Sequence, residues 1–235
     1  KGRTVSASYW VLLYQHGLLS RVDRKFLVMD WTDNSLPHAF EKQPEATQKL
    51  LREVPDVIDP LYEVPSSRWA LSVPKTWEPL IHWLNEEGLL DRPRMTTACL
   101  EALNEPLNKT ERNSCIIFAK SAIGKPNPKS RKDSLLFQSQ WIGLLSDAQA
   151  VVAGFALDQL LQIEKEKKLN GAEVVVELPS IFQHKPKGHA RKAVALLDRL
   201  AKQADLRVEA VRGLTFALAH PAKEVQEDAI AALAV

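Results

Sequence analysis

Cysteine is scarce in this chain of 235 residues, which has two, Cys99 and Cys115. Two thiols with no second pair match no zinc-binding spacing. Each lies in an apolar helical run, so two buried free thiols are expected. So few cysteines suit a reducing compartment, and a cytoplasmic location is expected. No apolar run reaches the ~18 residues that a membrane span needs, so no membrane contact is expected. No signal peptide is visible. The chain opens on Lys1, so a start inside a longer protein is expected.

Charge of one sign is also missing. Lys plus Arg number 31 against 29 Asp plus Glu, a net +2. That excludes the strongly basic balance of a dedicated nucleic-acid binder, though not a local patch. Catalytic motifs are absent: no GxSxG, HExxH, CxxC, Walker loop or GxGxxG. SAIGKPNPKS (121–130) holds Gly-Lys-Pro. Its prolines remove the backbone N–H groups that a phosphate loop requires. The six histidines are scattered, and His184 with His189 flank a turn without further metal ligands nearby. The chain is therefore expected not to be an enzyme and to use no metal or cofactor.

What is present is helical periodicity. Between Asp147 and Lys167, the residues Val152, Phe155, Ala156, Leu160 and Ile163 form one apolar stripe. A second runs from Gly188 to Ala204 through Ala190, Val194, Leu197, Leu200 and Ala201. A third, over 206–219, uses Val208, Val211, Leu214 and Leu218. The β-branched VVVEL (174–178) is read as helix, because Asn170 is a suitable N-cap and its neighbours are helical. Prolines 55, 60, 65, 74 and 79 cut the earlier chain into shorter pieces. Of the six tryptophans (10, 31, 69, 77, 83 and 141), some are expected in the core and others on a binding face.

Two repeats interleave. QHGLLSRV (15–22), EEGLLDRP (86–93) and EKKLNGAE (166–173) each follow an apolar helix. Each has Leu19, Leu90 or Leu169 before a capping side chain, Ser20, Asp91 or Asn170. The four-and-four spacing of Val152, Ala156 and Leu160 returns in Val225, Ala229 and Leu233, with Ala190, Val194 and Leu197 between. A period of roughly 35–40 residues with two helices per unit is the mark of an α-solenoid. HPAKEVQEDAIAAL (220–233) resembles the second helix of a HEAT-type repeat. With WLNEEGLLDRPRMTTACLEAL, FALDQLLQIEKEKKL and ARKAVALLDRLA, the region from about 83 to 235 resembles a family of large bacterial helical-repeat proteins of uncharacterised function. The resemblance implies no catalytic residues. It implies a longer parent, in which the last helix is internal.

The expected fold is all-α: an α-solenoid of stacked HEAT-like hairpins over 76–235, continuous with a less regular helical portion over 1–75. The expected function is a non-enzymatic scaffold that binds a protein partner along its concave face. The alternative is nucleic-acid or phosphate binding at two basic turns. One holds Lys125, Lys129, Arg131 and Lys132, with Lys120 before them; the other holds Lys185, Lys187, Arg191 and Lys192. Both lead into helix starts, where free N–H groups favour anions. No aromatics interleave with them, which argues against single-strand stacking.

Overall fold

The computed structural model describes residues 16, 35–53, 58–66, 74–124 and 133–234. Among these residues all regular structure is helical. The chain divides into two compact units, Lys1–Lys125 and Pro126–Val235. The first repeat copy at 15–22, Trp10, Trp31 and Trp69 lie outside the described residues, His16 excepted.

In the first unit, α1 (Ser35–Lys42) and α2 (Pro44–Glu53) precede a 3-10 run, Asp59–Ser66. Helices α3 (Pro74–Glu86), α4 (Arg92–Leu103) and α5 (Lys109–Ile123) follow. Pro44 and Pro74 open helices, where a missing N–H leaves no bond unmade. Pro79 was expected to break the chain but lies inside α3. Helix α1 packs on α2 and α3, α3 on α5, and α4 on α5 and the 3-10 run. The core they share holds Trp77, Leu80, Leu84, Met95, Cys99, Cys115 and Phe118. Trp77 meets Phe118 with ring centroids 6.2 Å apart. Both cysteines are buried free thiols. Burial pushes the Cys99 thiol well up and the Cys115 thiol up to about 12, so neither ionises near neutrality.

The second unit contains α6 (Gln138–Gly143), a 3-10 turn Leu144–Ser146, α7 (Ala150–Lys165) and α8 (Gly171–Glu177). A 3-10 run Leu178–Gln183, α9 (Lys187–Ala201), α10 (Arg207–Ala217) and α11 (Lys223–Leu233) complete it. VVVEL is helical through Glu177, and Asn170 accepts from the Glu173 N–H as expected. Pro179 then removes a helical donor, and the backbone tightens to 3-10. Helices α7, α9 and α11 pack side by side in one row, and α6, α8 and α10 in another. Helix α10 bridges the rows, packing on both α9 and α11.

The apolar stripes of α7 and α9 are buried as read, apart from a half-buried Ala201. That of α10 is not. Val208, Val211 and Leu218 are exposed, and the buried face is Ala210, Gly213, Leu214 and Ala217. Small residues win here because α10 lies close to its neighbours. A Cβ on Gly213 would stand 3.1 Å from a methyl of Leu197.

Two helix ends share one design. Gly88 ends α3 at φ +71°, and the Leu89 N–H returns to the Leu84 carbonyl at 2.9 Å. Asp91 then caps α4, accepting from the Arg94 N–H at 3.0 Å. After α7 the same role falls to Lys167, at φ +55°, with Asn170 as the next cap. Lysine carries a left-handed conformation that glycine takes without steric cost.

Candidate interaction surface

An open groove of about 690 Å³ lies along α9 and α11. Its floor is Val194, Ala195, Ala231 and Ala232, and its rim carries Arg191, Lys192, Lys202, Asp198 and Asp228. The shallow floor follows from alanine spacing. Ala195 and Ala231 are exposed at matching positions, so neither helix fills the space between them.

The rim is tied by charge. Lys187 bonds Glu224 at 2.6 Å and Arg191 bonds Asp228 at 2.6 Å, joining α9 forward to α11. Lys192 bonds Asp158 at 2.6 Å, and Arg199 grips both oxygens of Glu164 at 2.5 and 2.7 Å, joining α9 back to α7. The Asp228 carboxylate raises the pKa of the Arg191 guanidinium, and the bond from Lys187 lowers that of Glu224. These are exposed pairs. They set register and add modestly to stability.

The second basic turn is thus mostly committed. Lys187, Arg191 and Lys192 face carboxylates on neighbouring helices, and Lys185 stands exposed. Lys125, Lys129, Arg131 and Lys132 lie outside the described residues. The sequence reading missed Asp158, Glu164, Glu224 and Asp228. A search for opposite charges about one period apart finds all four, since the pairs span 34, 35, 37 and 37 residues.

The histidines do structural work. His220 is buried, its Nε2 donates to the His184 carbonyl at 3.0 Å, and its Nδ1 accepts from the Ala222 N–H at 3.1 Å. That pair of bonds assigns the neutral Nε2–H tautomer. The His189 ring lies on Gly154 of α7, where a Cβ would overlap it. His189 thus packs between α9 and α7. Trp77 and Trp141 are fully buried anchors, and Trp83 sits half-buried between Phe40 and the Arg52 guanidinium. Among the described residues no group of three or more His, Cys, Asp or Glu could hold a metal ion. Among them too, no helix is long and apolar enough to cross a membrane.

A family model described as "Domain of unknown function (DUF6493)" matches residues 66–188, just over half of the chain. The chain belongs to this family. No curated protein matches it. The DUF6493 match runs through α3 to α8 and ends just before Arg191, so most of the groove lies beyond it.

Proposed function

We propose that this protein is a non-enzymatic scaffold that binds a protein partner, built from HEAT-like hairpins stacked as an α-solenoid. One observation carries the repeat reading: several polar ties recur at a sequence distance of 34 to 37 residues. In the second unit, Ser180 bonds the Leu145 carbonyl across 35 residues and His220 the His184 carbonyl across 36. The four ion pairs of α9 span 34 to 37. Within the first unit, Arg52–Glu87 and Arg94–Asp59 span 35, and Asn85 reaches the Ser121 carbonyl across 36. Equivalent positions one hairpin apart meet when each hairpin stacks on the one before.

The binding reading rests on the groove. Its alanine floor and mixed-charge rim suit a peptide segment carrying both signs of charge, with small apolar side chains facing the floor. The commitment of Lys187, Arg191 and Lys192 to carboxylates favours this over phosphate binding. A cytoplasmic setting fits the two buried thiols.

The test pans a displayed peptide library on the intact chain. Selected peptides are then measured against Ala195→Trp and Ala231→Trp, which fill the groove. We expect at least a tenfold loss with modest salt dependence. Equal binding to the filled variants contradicts the groove. Binding of mixed-sequence DNA or RNA that survives physiological salt, with a steep salt slope, replaces this reading with the nucleic-acid one.

A further inference from the structure

We infer that the outer face of α10 and α11 is a stacking surface for a further helical hairpin of the same pattern. The inference rests on the repeat reading of the second unit, not on the groove as a binding site.

The His184–His220 tie sets a register of 36 residues. In that register Val175, Phe182 and Val194 correspond to Val211, Leu218 and Ile230. The first three are 3%, 7% and 3% exposed; their counterparts are 39%, 39% and 59% exposed. Leu197 is fully buried, whereas its counterpart Leu233 is half-buried. The side chains are alike in chemistry, so the difference comes from what lies over them. Helices α10 and α11 pack against α8, the 178–183 run and α9. The next hairpin would do the same for α10 and α11.

A control lies in the same helix. Val208 is 75% exposed, yet its counterpart Ala172 is exposed too, although a hairpin follows it. The contrast is therefore confined to positions that a stacked hairpin covers. Charge points the same way. Lys187 and Arg191 reach forward to acids 37 residues on. Their counterparts are Lys223 and Glu227, which pair with each other at 3.1 Å on the surface. The hairpin that fits presents an acid to Lys223 and a base to Glu227.

The test extends the full chain by a second copy of residues 200–235 placed directly after Val235, which preserves the 36-residue register. Within the copy, Asp228→Arg supplies the base that Glu227 needs. Thiol labelling of Ile230→Cys and, separately, Val211→Cys is followed in the original and the extended chains. Cys99 and Cys115 are buried and add little background. We expect both reporters to label at least tenfold more slowly in the extended chain, with Val208→Cys unchanged. Unchanged labelling of Ile230→Cys and Val211→Cys overturns the inference. So does protection of Val208→Cys alongside them, which signals aggregation. Slowing with protein concentration in the original chain also overturns it, because a second copy then occupies the face. Charge reversal at Arg199 and Glu164, singly and together, tests the repeat reading separately.

Discussion

The two units fix their helices by different means. In the first, α4 and α5 are held at their starts by side-chain caps. Asp91 caps α4, and Asn108 forms a full capping box with Glu111 on α5. In the second, Asn170 caps α8, but α7, α9, α10 and α11 begin at Gln149, Pro186, Leu206 and Ala222 with no side-chain cap bond. Two of these starts have ties of another kind. Lys187 at the head of α9 reaches Glu224 at the head of α11, and His220 bonds the Ala222 N–H. The first tie joins two hairpins; the second comes from a residue just before the helix it serves.

The largest expected effect breaks both units alike. Trp77→Ala and Trp141→Ala each empty a fully buried site and should cost about 3–5 kcal/mol. Denaturant melts of the single variants measure it. Trp141→Ala also removes the indole N–H bond to the Ser134 carbonyl, 3.1 Å long.

Gly154→Ala probes the second unit alone. Its Cβ meets the His189 ring, an overpacking expected to cost about 1–3 kcal/mol. Adding His189→Ala should restore part of that loss, and a double-mutant cycle without coupling would refute the contact.

Caps and turns come next. Asn108→Ala should destabilise by about 1 kcal/mol. Ala222→Asn gives the first turn of α11 a side-chain acceptor it lacks and should stabilise by about 1 kcal/mol or less. Lys167→Gly should stabilise by about 1 kcal/mol by relieving the left-handed backbone. Thermal melts of the three variants sharpen the contrast between capped and uncapped ends.

The smallest effect is a pH dependence. The bond from Lys187 lowers the Glu224 pKa, so folding favours the ionised carboxylate. Its contribution is complete above the ordinary carboxylate range and is lost as pH falls through the depressed value. Stability measured from pH 7 to pH 3 should fall slightly less steeply in Glu224→Gln. Identical slopes would show that this tie contributes nothing.

Much of the architecture was legible because it is local. Helices α7 and α9 follow their apolar periods, and the caps Asp91 and Asn170 were read from their place after a leucine. The α10 stripe misled because burial there rewards small size. Gly213 and Ala217 allow close approach, while Val208 faces out. The rim of the groove was half legible. The cations of 187–192 stood out as a cluster, but their acids lie a whole hairpin away, and only stacking brings them together.

Helix α9 also has a mechanical meaning. It is a clamp with separate jaws: Lys187 and Arg191 close on α11, Lys192 and Arg199 on α7. Each jaw sits on the surface, where salt loosens it and water replaces it. Either side can therefore give way while the other holds. On the proposed reading, a charged segment that competes for Asp228 loosens the edge of the groove it enters.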